Sequence, residues 1–257
     1  MAKTVIAVAN QKGGVGKTTT TINTAHYLLK AGHSVLVVDL DPQGNTTSGL
    51  GVDKHHDGYS LYHGLHDSSQ LSRVLVSTPH KVALLPSSPV LAAAEVELVD
   101  LERREYRLRE LIDQLDFDFV LIDCPPSLGL LTVNGLAASD HVVIPVQAEY
   151  YALEGLGQLL QTIELVNKGI NPRLELLGVL LTMHTGRTTL SRQVHEEVQK
   201  HFPGKVFDGV IPRNVRLAEA PSFGKPIHDY DKRSKGAKAY KSFTKELLGR
   251  IKTKGGA

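Results

Sequence analysis

One cysteine, Cys124, stands in 257 residues, which excludes an internal disulfide and a multi-thiolate metal or iron–sulfur site. In LIDCPPS it reads as a small buried residue at a strand end. No apolar stretch approaches the roughly 18 residues of a membrane span. The N-terminus runs into TVIAVAN without the basic and apolar regions of a secretory leader, so a cytoplasmic protein is expected. Internal repeats, low-complexity tracts and linkers are also missing, and residues 1–257 read as a single domain.

Hydrophobic residues make up 41% and charged residues 22% of the chain, the composition of an ordinary globular protein. The net charge of +2 hides an asymmetry: residues 187–257 hold 16 Lys+Arg against 7 Asp+Glu, and residues 1–186 hold 13 against 20. A basic C-terminal quarter points to a polyanionic partner, either nucleic acid or an anionic membrane.

Apolar runs predict strands over 4–10, 34–40, 81–86, 118–123, 141–147, 174–182 and 205–212. Several are apolar throughout, as expected of parallel strands covered on both faces. Helical patterns fall at 17–31, 91–115, 128–138, 153–168, 188–201 and 236–253. In the second of these, Val96, Val99, Leu101, Leu108, Leu111 and Leu115 lie near helical spacing, the pattern of a surface helix packed on a sheet. The alternation gives an α/β class, a doubly wound, mainly parallel sheet with helices on both faces. The segment 51–70 reads as a loop-like insertion. Its His55, His56, His63 and His66 are dispersed and lack a cysteine partner, so they read as surface histidines rather than a metal centre.

The stretch ANQKGGVGKTTTTIN, residues 9–23, carries the chemistry. It follows the first strand and opens a helix, the context in which backbone N–H groups and a helix N-terminus converge on phosphate. The common spacing G-x-x-x-x-G-K-[ST] would need glycine at Gln11 and fails there. Gly13 and Gly14 still supply the close backbone approach, Lys17 is placed for the β and γ phosphates, and the Thr18 hydroxyl is placed for Mg²⁺. Carboxylates end two later strands, Asp39 and Asp41 in VLVVDLDPQGN and Asp123 in FVLIDCPPS. In a doubly wound sheet such strand ends border the ligand crevice.

K-G-G-x-G-K-T-T resembles the deviant Walker A motif of the ParA/MinD family of P-loop ATPases, whose own pattern departs at the position of Gln11. The resemblance runs from Val5 to about Leu248 and implies ATP and Mg²⁺ as ligands. By it, the phosphate cradle comprises Lys12, Gly13, Gly14, Val15, Gly16, Lys17, Thr18 and Thr19. Lys12 matches a signature lysine that reaches the phosphates of a second subunit in an ATP-sandwich homodimer, so Lys12, Lys17 and Asp41 form the implied catalytic set. D-x-D-P-Q-G-N resembles the family's switch motif. That gives Asp41 the orientation of the attacking water, and Thr18, Asp41 and Asp123 the Mg²⁺ shell; Asp39 is left as a structural residue. VIPRNVRLAEAPSFGKPI (210–227) resembles the base-recognition loop, with Pro212 and Asn214 on adenine and Glu219 helping to close the site.

Three branches of the family are distinguishable. Cluster-carrying relatives need paired cysteines, which the lone Cys124 does not provide. A MinD-like membrane-positioning ATPase needs a C-terminal amphipathic helix, and Tyr240, Phe243, Leu247, Leu248 and Ile251 do form a stripe among lysines; a helix docked on its own sheet shows the same spacing. TMHTGRTTLSRQV and PRNVRLAEAPSFGKPI resemble the Soj-type chromosomal branch. That resemblance implies non-specific binding of double-stranded DNA through Arg187, Arg216, Lys232, Arg233, Lys235 and Lys238, nucleoid association, a ParB-type protein that stimulates hydrolysis, and no stable membrane association. No helix-turn-helix domain precedes the ATPase, so DNA binding without sequence preference is expected.

Overall fold

In the computed structural model, which describes residues 3–55, 58–149, 156–185 and 189–254, seven strands form one sheet. The elements follow in order as β1 (Thr4–Val8), α1 (Lys17–Lys30), β2 (Val35–Asp39), α2 (Asn45–Gly49), α3 (Leu61–His66), α4 (Leu71–Val74), β3 (Val76–Ser77), β4 (Ala83–Leu85), α5 (Ala94–Glu97), α6 (Arg107–Ile112), β5 (Phe119–Asp123), α7 (Leu130–Ala138), β6 (His141–Gln147), α8 (Leu156–Gly169), β7 (Glu175–Thr182), α9 (Thr189–His201), α10 (Val215–Glu219), α11 (Ile227–Asp231) and α12 (Lys235–Lys254). The sheet order is β3-β4-β2-β5-β1-β6-β7. Every pairing is parallel except β3 with β4.

Side chains alternate across a strand, so each apolar run feeds two cores. Val5, Ala7 and Ala9 pack with Leu36, Val38, Val120 and Ile122 on one face, under α6, α7 and α8. Ile6, Val35, Val37, Phe119 and Leu121 pack on the other face, under α1 and α12. Register then does functional work: Val8 and Asp39 both stand opposite Asp123. The two acids therefore end adjacent strands side by side, at the mouth from which the loop after β1 emerges.

Three expectations need correction. The stretch 205–212 is not a ladder strand but makes two isolated bridges, Val206 with Val179 of β7 and Pro212 with His184 just beyond it. Between them the N–H groups of Asp208 and Gly209 donate to the Glu246 carboxylate at 3.0 and 3.1 Å, so α12 interrupts a ladder that Phe207 and Ile211 still join by donating to the Val179 and Leu181 carbonyls of β7 at 2.9 and 2.8 Å.

The helix expected over 91–115 is broken. Short helical turns through Asp100 give way to extended Leu101 and to Arg103 at φ 55, and a regular helix resumes only at α6. The Asn134 side chain of α7 occupies the break: its Oδ1 accepts the Leu108 N–H at 3.1 Å and its Nδ2 donates to the Arg104 carbonyl at 2.8 Å. Val96 and Val99, in the turns before the break, face solvent, 75% and 44% exposed. Finally, 51–70 is only partly a loop, since α3 occupies 61–66, with His63 capping its N-terminus through the Ser60 N–H.

Candidate active site

The loop from Ala9 to Gly16 joins β1 to α1. Gly14 and Gly16 hold left-handed dihedrals, φ 74 and 93, which only glycine adopts without strain. Asn10 ties the base of the loop to the sheet, donating to the Pro145 carbonyl at 2.7 Å and accepting the Lys12 N–H at 3.0 Å. Thr182, at the end of β7, donates its hydroxyl to the Val15 carbonyl at 2.8 Å. Lys17 is buried, with Nζ 3.2 Å from the Lys12 carbonyl. Burial lowers its pKa, and the charges of Asp123 and Asp41 partly offset that.

Asp123 is fully buried, and its Oδ2 accepts two hydroxyls, Thr18 Oγ1 and Thr46 Oγ1, each at 2.7 Å. Its Oδ1 is buried without a hydrogen bond. An orphaned carboxylate oxygen beside a threonine hydroxyl is the donor chemistry a hard divalent cation takes, so Thr18 and Asp123 fit Mg²⁺. Asp39 serves another purpose: its Oδ2 accepts the Thr47 N–H and hydroxyl at 2.7 and 2.6 Å, which pins α2 to the strand end. Burial raises the Asp39 pKa, and the Asp123 carboxylate beside it adds repulsion. Burial raises Asp123 as well, against the Thr18 and Thr46 hydroxyls and the Lys17 ammonium.

Thr47 in turn accepts the Ser87 N–H at 2.9 Å, and the Ser87 hydroxyl donates to the Asp41 carbonyl at 2.7 Å. Through this chain the backbone carrying Asp41 is held at two points, while its own carboxylate accepts the Gln43 N–H at 2.9 Å. Asp41 lines a cavity of about 550 Å³ together with Gly13, Gly14, Gly16, Lys17, Thr18, Thr19 and Asn45.

A second cavity, of about 470 Å³, shares Gly16, Thr19 and Met183 with the first and is bounded by Thr182, Ile211, Pro212, Asn214, Leu217 and Tyr240. One side of the cleft is thus cationic and rich in N–H groups, and the other is apolar, the division a nucleotide needs. Asn214 caps α10 by accepting the Arg216 N–H, which leaves its amide NH₂ to donate into the apolar side. Met183, at φ 51, lines both cavities.

The sequence-predicted cradle residues therefore come together, with two departures. Lys12 pairs its Nζ with Glu149 at 3.9 Å instead of lining the cleft, both side chains being about half exposed. Glu219 accepts Arg216 Nη1 at 2.9 Å and the Tyr230 hydroxyl at 3.0 Å instead of facing the cleft. Thr46, Thr47, Ser87, Thr182 and Met183 escaped sequence reading; the Thr pair directly after D-x-D-P-Q-G-N was the one available signal.

Of the expected DNA contacts, Arg187 lies outside the described residues. Lys232, Arg233, Lys235 and Lys238 are exposed around the start of α12. Arg216 is exposed but engaged, with Glu219 at 2.9 Å and Asp231 at 3.8 Å. The stripe of α12 is spent inside the fold: Tyr240, Phe243 and Leu247 are buried, and Leu248 and Ile251 pack beside them. Among the described residues no helix is long and apolar enough to cross a membrane.

A family model described as an AAA domain matches residues 3–176. The chain is 53% identical over 246 residues to the sporulation initiation inhibitor protein Soj of Bacillus subtilis, covering 95% of this chain and 97% of that one. It is 50% identical over 249 residues to the chromosome partitioning protein ParA of Myxococcus xanthus, covering 96% and 88%. Among solved structures, a Mycobacterium smegmatis protein titled cobyrinic acid a,c-diamide synthase with bound ATP analog and magnesium is similar at TM-score 0.89 and 42% identity, over 98% of this chain and 96% of that one. An ATP complex of Cyanothece McdA shares the fold at TM-score 0.85 and 23% identity, over 96% of each chain.

Proposed function

We propose, from the premise that the chain belongs to the ParA/Soj family of chromosome-partitioning ATPases, that its ATP cycle drives DNA partition through a dimer that binds DNA without reading sequence. The chain is an ATPase. The γ-phosphate of ATP would lie in the Gly13–Thr19 cradle and its base in the slot beside Pro212 and Asn214. Thr18 and Asp123, with Asp41 nearby, would hold Mg²⁺, which would neutralise phosphate charge there. Lys17 sets its ammonium against the β and γ oxygens. The Asp41 carboxylate orients a water for in-line attack, and the bond from the γ-phosphorus to ADP breaks as the new P–O bond forms.

Lys12 remains at the rim of its own site, on a loop that a facing subunit would meet. Two chains closing over two ATP molecules would exchange these lysines, each adding positive charge to the other's phosphates as charge develops there. Closure would also join two basic faces into one. A ParB-type protein would accelerate hydrolysis, and release from DNA and the nucleoid would follow.

The docked α12 carries the choice of DNA over membrane. An amphipathic helix that buries Tyr240, Phe243 and Leu247 against its own sheet has no apolar face left for a bilayer, while its lysines remain outside. The test is binding to random-sequence duplex DNA and to anionic vesicles, with ADP and with ATP, using Asp41→Ala to slow turnover. ATP-dependent DNA binding without vesicle binding is expected; vesicle binding without DNA binding overturns the reading.

A further inference from the structure

Away from the nucleotide cleft, α1 and α11 enclose a cluster that the ATPase reading leaves unused. His26 lies nine residues beyond Lys17 on α1, about 13 Å along the helix. Its side chain is 3% exposed, yet neither ring nitrogen makes a hydrogen bond. Buried polar groups are almost always satisfied, so an orphaned imidazole calls for a partner.

The groups facing that ring are metal ligands. His26 Nε2 is 3.3 Å from Asp229 Oδ1, close to the separation of about 3.3 Å between two donors of a tetrahedral zinc with bonds of about 2.0–2.1 Å. The His228 ring centroid is 5.5 Å from that of His26. The ligand atoms of His26, His228 and Asp229 all lie within 4.8 Å of one another, so a modest rotation of the half-buried His228 ring closes the set. Asp229 is already oriented: its other oxygen meets His80 Nδ1 at 2.8 Å, and His80 Nε2 meets the Gly224 carbonyl at 2.8 Å. A ligating carboxylate fixed by an outer partner is the usual arrangement around a bound cation. Lys30, one turn further along α1, is exposed to solvent and its repulsion is screened.

We propose that His26, His228 and Asp229 form a site for a divalent transition cation of the zinc class, oriented by His80, which staples the phosphate-loop helix to α11. Two imidazoles and one carboxylate select such a cation over Mg²⁺, which prefers oxygen ligands. Three protein ligands leave a fourth position for water, and Asp229 is 31% exposed, which provides a path for entry. The staple bears on the rest of the molecule because α11 leads directly into the basic start of α12.

The test uses the full chain, tag-free and nucleotide-free so that the phosphate site does not compete, titrated with Co²⁺ and then Zn²⁺. One equivalent of Co²⁺ should give the visible absorption of a tetrahedral site, and Zn²⁺ should abolish it by displacement. His228→Ala and Asp229→Asn, both toward the surface, should each weaken binding at least 100-fold, and His80→Gln about tenfold. His55→Ala should change nothing. Zn²⁺ at about 100 times its Kd should raise the wild-type Tm by roughly 5–10 °C, and should not raise that of His228→Ala. Absence of Co²⁺ absorption and of Zn²⁺ uptake at tenfold excess overturns the proposal. So does binding that survives both His228→Ala and Asp229→Asn.

Discussion

Thr182 grips the phosphate loop from outside it. Its hydroxyl reaches the Val15 carbonyl, and its methyl group stands 3.6 Å from where a side chain at Gly16 would begin. Thr182→Val keeps the shape and leaves a buried carbonyl unpaired, at a cost of about 1–3 kcal/mol. Much of that cost falls on the ordering of the loop, so calorimetric ATP affinity should weaken roughly three- to tenfold with little change in the circular dichroism spectrum. The glycines separate into two kinds. Gly14 and Gly16 are required by their dihedrals, whereas Gly13 has no positive φ and nothing within 4 Å of where a Cβ would stand. One subunit has room for a side chain there. Gly13→Val should therefore bind ATP within about twofold of wild type while losing the ATP-dependent dimer in sedimentation; a dimer that persists would separate Gly13 from the subunit contact.

Helix α12 closes the second core, with Phe243 stacked edge-on against Phe207 at 4.8 Å between centroids. Phe243→Ala should cost about 3–5 kcal/mol, a fall in Tm of about 10 °C or more for a chain of this length. Lys241→Ala, on the outward face of the same helix, should leave the Tm unchanged. Elements of this kind were legible in the sequence because one local pattern decided them: the apolar run of β5, the glycine loop before α1, the stripe of α12. The elements that were not legible are decided by a side chain from elsewhere. Glu246 intercepts the backbone of 205–212, and Asn134 interrupts the helix over 91–115. The same division holds at the site. Lys17, Thr18 and Asp123 sit in motifs, but Thr47 and Ser87 act by holding Asp39 and the Asp41 backbone across 40 residues of sequence, a relation no spacing encodes.

The surplus of positive charge in the last quarter of the chain resolves, in three dimensions, into cations of two sorts. Arg216, Arg213 and Arg250 each face a carboxylate, whereas among the described residues Lys232, Arg233, Lys235 and Lys238 make no ion pair. Only the second sort can neutralise phosphate without first giving up a partner. If the ATP-bound dimer engages about six phosphates, the logarithm of its DNA affinity should fall with that of the salt concentration at a slope near −5. Lys235→Ala with Lys238→Ala removes up to four contacts per dimer and should flatten the slope to about −2, equally for unrelated DNA sequences. Arg216→Ala should behave differently: it leaves Glu219 and Asp231 unneutralised beside the DNA, so affinity should drop while the slope changes by less than one unit per subunit. Fluorescence anisotropy over a salt series distinguishes the two, and an unchanged slope in the double lysine variant would move the DNA face away from α12.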